Sequence, residues 1–145
     1  MKRLLILGSA IAVLASAGVA RAGLVGEYFG HLERDPSTQM VFDIDKVDGV
    51  RVVRHVVVWP GWSCHDGSQM RVSVSVIGRF PIENGEFHGT RDWVTKAASG
   101  DITLRGQKVD ADTWRGTARA EGTFSLLPKT TCYTGKLRWR LNRVD

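Results

Sequence analysis

Apolar and polar residues alternate with a period of two over most of this chain, and helical periodicity is scarce. From Thr113 to Leu126, one side reads Trp114, Gly116, Ala118, Ala120, Gly122, Phe124 and Leu126. Arg115, Thr117, Arg119, Glu121 and Thr123 fall on the other. Leu137, Trp139 and Leu141 alternate in the same way with Lys136, Arg138, Arg140 and Asn142. Met70, Val72, Val74 and Val76 alternate with Arg71, Ser73 and Ser75, and Met40, Phe42 and Ile44 with Val41 and Asp43. Successive side chains of a strand point to opposite faces, so each stretch predicts an antiparallel strand with one face buried and one in water. Val50 to Trp59 is the exception. Its valines occupy both parities, which predicts a central strand covered on each side.

Turn residues punctuate the pattern at short intervals. Asp48-Gly49, Asp66-Gly67 and Asn84-Gly85 tolerate positive φ, and Gly30, Gly100, Gly106 and Gly135 add further bends. Ile82 to Phe87 is the clearest hairpin, its apolar ends brought together across Asn84-Gly85. Arg91 to Ser99 is the one place where a short helix fits, with Trp93 as its anchor. No linker, low-complexity tract or repeat interrupts the chain. Eight or nine strands in one small domain predict an all-β fold, a single antiparallel, jelly-roll-like sandwich. A closed β-barrel is the alternative.

The chain begins differently. Met1-Lys2-Arg3 is basic, Leu4 to Val19 is nearly unbroken in apolar and small residues, and Ala20-Arg21-Ala22 has the small-x-small spacing of a signal-peptidase site. Residues 1–22 therefore read as a secretory signal peptide and residues 23–145 as one exported domain. Ala15-Ser16-Ala17 offers a second exit. Retained as an anchor, the apolar part from Leu4 to Ala20 would sit at the short limit of the roughly 17–25 residues a span requires. No later stretch is apolar enough to cross a bilayer. Removing residues 1–22 takes away Lys2, Arg3 and Arg21 and no acid, so the formal charge falls by three, from +5 to +2. That small excess gives no reason to expect nucleic acid as a partner.

Export also decides how Cys64 and Cys132 are read. Two cysteines in an oxidising compartment most simply form one disulfide, which stabilises by roughly 4 kcal/mol in the chain-entropy model. A catalytic thiol beside His65 would need a thiolate that such surroundings disfavour, and two distant cysteines lack zinc-site spacing.

Several features together resemble a large group of short, exported, β-rich bacterial proteins, abundant in actinobacteria and without an established activity. They begin with Gly26-Glu27-Tyr28-Phe29-Gly30, the strand Met40 to Ile44, and Cys64. Ile82-x-x-Gly85-x-Phe87, Ala120-Glu121-Gly122-Thr123, Cys132-Tyr133-Thr134-Gly135 and Trp139-x-Leu141 complete the pattern. Thr90 to Ile102 departs from it, lacking an Ile-x-Gly-x-Phe strand. The resemblance implies a β fold pinned by a cysteine pair and carries over no catalytic residue.

Candidate chemistry is sparse. Trp59-Pro60-Gly61-Trp62 would offer two indoles on one corner as a platform for a glycan, unless they fill the core beside the disulfide. Arg115, Arg119, Arg138 and Arg140, with Lys136 and Arg143, lie on the outward parity of two strands. If those strands pair, they form a basic stripe suited to an anionic wall polymer. His31, His55, His65 and His88 are scattered, and His65-Asp66 is the first place to look for reactivity. Asp43-x-Asp45-x-x-Asp48-Gly49 breaks the calcium-loop register at its third acid, with Arg54 where the bidentate Glu belongs. No nucleophile elbow, zinc helix or phosphate loop is present, and no cofactor or metal is expected. The expectation is a secreted, non-catalytic binding or structural β domain. A small β-barrel enzyme inhibitor or hydrolase is the alternative.

Overall fold

The computed structural model describes residues 25–125 and 128–144, so the export segment read from residues 1–22 lies outside them, as does Leu126. Eleven strands and no helix make up the described chain. They are β1 Gly26–Leu32, β2 Gln39–Val47, β3 Val50–Val58, β4 Gly61–Cys64, β5 Gln69–Arg71, β6 Val74–Pro81, β7 Glu86–Val94, β8 Ala98–Lys108, β9 Thr113–Phe124, β10 Thr130–Tyr133 and β11 Leu137–Arg143. All pair antiparallel in one sheet, and a single disulfide joins Cys64 to Cys132. The all-β, antiparallel, disulfide-linked fold is the expected one, with eleven strands in place of eight or nine. The alternative of a closed barrel does not hold.

β9 is the hub of the sheet. β8 runs along one edge for its whole length, while β11 and β10 share the other edge end to end. Beyond β11 lie β1, β2, β3 and β6, beyond β10 lie β4 and β5, and β7 flanks β8. The sheet curls until its halves face each other. Phe42 of β2 thus meets Phe87 of β7 with ring centroids 5.8 Å apart. Phe87 in turn stacks on Trp139 of β11 at 6.2 Å.

Paired glycines make room for these rings. Trp139, Gly116, Gly106 and Phe87 are successive cross-strand partners over β11, β9, β8 and β7. A Cβ at Gly116 would lie 2.4 Å from the Trp139 ring, and one at Gly106 would lie 2.1 Å from the Phe87 ring. Further along the same strands, Trp93, Gly100, Gly122, Cys132 and Cys64 form a second row. There a Cβ at Gly122 would lie 2.4 Å from the Trp93 ring. No side chain other than hydrogen fits beneath either ring.

β6 and β7 run side by side where the sheet curls round, yet no ladder joins them among the described residues. Arg91 fills this seam. Its guanidinium lies 4.5 Å from the centre of the Phe80 ring and donates to the carbonyl of Arg79. Gly78 and Gly89 leave the space, since a Cβ at either would press on the Arg91 side chain.

Two local expectations are corrected. Arg91 to Ser99 is not helical: β7 runs to Val94, a turn follows, and β8 begins at Ala98. Thr95 closes the turn, its Oγ1 accepting from the Ala97 and Ala98 N–H groups. Strand alternation was hidden because Gly89 and Arg91 hold positions between Phe87 and Trp93 where apolar residues would have revealed it. The valines of β3 also have a different cause. Phe42 pairs with Val56 and Ile44 with Val53, so Asp43 stands opposite both Arg54 and His55. This β-bulge shifts the side-chain phase, which brings Val53, Val56 and Val58 all into the core although their parities differ. The outer face of β3 is covered only in part: Val52 is buried, Val57 is half-buried and Val50 is exposed.

Candidate anion-binding face

Strand register turns the outward residues of β11, β9, β8 and β7 into rows of like character. His31, Arg140, Arg115, Gln107 and Glu86 are neighbours across β1, β11, β9, β8 and β7. The next row is Arg138, Thr117, Arg105 and His88. Arg119, Thr103 and Thr90 follow, the two threonine hydroxyls 2.8 Å apart. The row after that is Tyr133, Glu121, Asp101 and Asp92. A concavity of 690 Å³ opens over the two basic rows, lined by Arg105, Arg115, Lys136, Arg138 and His88 together with Glu33 and Glu86.

Among the described residues, none of these cations is held in an ion pair. The ion pairs among the described residues lie elsewhere, joining Arg54 to Asp45 at 3.0 Å, His55 to Asp43 at 3.4 Å and Arg71 to Asp35 at 2.7 Å. Arg140 also acts on Asp110, in the β8–β9 turn. The Asp112 backbone N–H holds it below the usual carboxylate range, and the field of Arg140 adds to the effect. Arginine supplies most of the charge, and its planar guanidinium binds carboxylate, sulfate or phosphate oxygens in pairs.

The structure sorts the residues picked out from sequence. Arg115, Arg138 and Arg140 are brought together, with Lys136 beside them at the concavity. Arg119 lies on the same face, in the threonine row. Arg143 does not join the stripe. It takes the opposite parity to Asn142 at the end of β11, reaches toward Gly26, and acts on the Tyr28 hydroxyl. Burial is the main cause that raises the Tyr28 pKa, and the facing Trp114 indole opposes it. Arg105 and His88 were missed because only the β7–β8–β9 register sets them beside Thr117. Their sole sequence signal is the alternation of Thr103, Arg105 and Gln107 with Ile102, Leu104 and Gly106.

The two-indole platform does not form. Trp62 is 1% exposed, donates its indole N–H to the Val72 carbonyl at 3.0 Å, and packs on Phe124 with ring centroids 5.3 Å apart. It shares the inward parity of Cys64 on β4, so it belongs to the core beside the disulfide. Trp59 lies beyond Pro60, outside β4, and is 41% exposed.

The remaining polar candidates are held by local contacts. Asp66 accepts from the side chain and backbone N–H of Ser68, which lowers its pKa and commits it to the turn and not to His65. His65 instead lies 5.9 Å from the Tyr133 ring. Asp45 is engaged by Arg54 and the Lys46 N–H, and Asp43 faces His55. Asp48 is at a positive-φ turn with Gly49. Among the described residues, no group of three or more His, Cys, Asp or Glu side chains is placed to hold a metal ion. Among the described residues, no helix is long and apolar enough to cross a membrane.

No family model, curated protein or solved structure matches this chain.

Proposed function

We propose that this chain is a non-catalytic, exported β domain that holds an anionic extracellular partner on the outward face of β8, β9 and β11. One observation carries the reading: Arg105, Arg115, Lys136 and Arg138 converge on one concavity, and among the described residues none of them is held in an ion pair. Several cations within a Debye length of one another raise the local concentration of a polyanion and bind it in a salt-dependent way. An anionic wall polymer or an acidic glycan has the required chemistry. Export rests on the basic, apolar and small-residue order of residues 1–22 and on a disulfide of the kind found in oxidising compartments.

The test is titration of residues 23–145 with fluorescent dextran sulfate at low and high salt. Binding that weakens steeply with salt, and by about tenfold or more in Arg105→Gln/Arg138→Gln, is the expected outcome. No binding at low salt rejects the proposal.

A further inference from the structure

The basic rows are fenced. Along β8 and β9, the outward residues run from cation or neutral group to carboxylate. On β9 the order is Arg115, Thr117, Arg119, Glu121, on β8 it is Gln107, Arg105, Thr103, Asp101, and on β7 His88 and Thr90 lead to Asp92. Asp92, Asp101 and Glu121 are direct cross-strand neighbours. Like charges in that arrangement repel one another, so they form a continuous negative border to the basic rows. On the opposite side, the β8–β9 turn carries Asp110 and Asp112. Across the strands the sequence of groups is different. A path through Arg138, Thr117, Arg105 and His88 crosses no carboxylate, with Glu33 standing beyond Arg138 at its end, and one through His31, Arg140, Arg115 and Gln107 meets none until Glu86.

Building on the anion-binding reading, we infer that the partner is a single linear polyanion lying across the strands, and not an anionic membrane surface. Curvature and charge lead to the same conclusion. The sheet curls about an axis that runs broadly along its strands, so a flat surface touches the outer face along the strand direction. Such a line passes over Glu121, Asp101 or Asp92. These acids lie one outward position, roughly 7 Å, from Arg119 and Thr103, inside the ~8–10 Å over which charges act at ordinary salt. A flexible chain can instead follow the curve around the sheet, crossing a strand about every 4.8 Å and staying between the two acidic borders.

The experiment compares two soluble or dispersed probes on the same protein. These are long-chain polyphosphate and vesicles of phosphatidylcholine and phosphatidylglycerol in equal parts, both at about 0.1 M salt. The expected result is binding to polyphosphate and at least about tenfold weaker binding to vesicles at equal anion concentration. Asp92→Asn/Asp101→Asn/Glu121→Gln removes one border from exposed positions and relieves repulsion, and Asp101→Asn alone provides a milder version. Opening the border raises vesicle binding by about tenfold while changing polyphosphate binding by less than about threefold. Arg105→Gln/Arg138→Gln weakens polyphosphate binding by about tenfold. Equal affinity of the unmodified protein for both probes, or a border variant that shifts both alike, overturns this inference even if dextran sulfate binds. Failure to bind dextran sulfate overturns the underlying proposal and this inference with it.

Discussion

The protein's hydrophobic core holds two aromatic clusters, built on the same device and secured differently. In the curled body of the sheet, Phe42, Phe87, Trp114 and Trp139 pack ring to ring over Gly106 and Gly116. In the corner formed by β4, β5 and β10 with the end of β9, Trp62, Trp93 and Phe124 pack beside the Cys64–Cys132 bridge. Both indole N–H groups of the corner donate to backbone carbonyls, Trp62 to Val72 and Trp93 to Asp101. The Trp139 N–H of the body has no hydrogen-bond partner among the described residues. The body therefore rests on shape and contact between rings. Short strands give the corner little apolar area, and it adds a covalent link and satisfied donors. Where burial is limited, specific bonds carry more of the stability.

The sharpest way to break this contrast is to remove the bridge. Cys64→Ala/Cys132→Ala is expected to cost about 4 kcal/mol on the chain-entropy account. Hydrogen exchange should rise first in β4, β5 and β10, with β1, β2 and β3 keeping their protection. Uniform loss of protection would show that the two clusters are one unit. Gly116→Ala comes next, because the new methyl group collides with Trp139 and with backbone. Chemical denaturation should register about 1–3 kcal/mol, and an unchanged midpoint would refute the ring-over-glycine account.

Replacing indoles by phenyl rings tests the donors. Trp93→Phe loses a hydrogen bond as well as volume, so it should cost about 2 kcal/mol or more. Trp139→Phe also removes an unpartnered buried donor, so its cost should be smaller by about 1 kcal/mol. Paired denaturation curves decide between them, and equal losses would erase the distinction.

The smallest effect concerns the tie between body and corner. Asp35, in the β1–β2 loop, accepts from Ser37, Thr38 and Arg71, and these contacts hold its pKa well below the usual carboxylate range. Arg71 belongs to β5 and also donates to the Thr38 hydroxyl at 2.7 Å. A carboxyl with a lowered folded pKa stabilises above its ordinary pKa of 3.8 and loses that contribution as pH falls toward the folded value. Acidification below pH 3.8 should therefore loosen β5 ahead of β9, as read by exchange. Asp35→Asn should remove that pH dependence.

The legibility of the chain followed local geometry. β9 and β11 were readable because each alternates without interruption, and Trp114, Trp139 and Leu141 are buried as their parity requires. β3 misled because the bulge at Arg54–His55 shifts phase, and a bulge leaves no composition signal. β7 was obscured where Gly89 and Arg91 replace apolar residues beside the seam. For the candidate face, parity was enough to put Arg115, Arg138 and Arg140 outward. The concavity depended on register between strands distant in sequence, which sets Arg105 and His88 beside them. Trp62 was ambiguous for a similar reason, since only the pairing of β4 with β10 shows which way Cys64 and its neighbours turn.

The unlaced seam between β6 and β7 also sets which substitutions the core can absorb. Around the rest of the curl, the distance between strands is fixed by hydrogen bonds, so the girth of the molecule cannot change there without breaking a ladder. At the seam no ladder fixes it, and the strands are joined by the Arg91 side chain, the Phe80–Phe87 ring contact and the Glu83–Glu86 bridge of the turn. Phe80 and Phe87, whose strands border it, therefore sit against the one wall of the core with an adjustable joint. Gly106 and Gly116 are held between full ladders and have no such allowance.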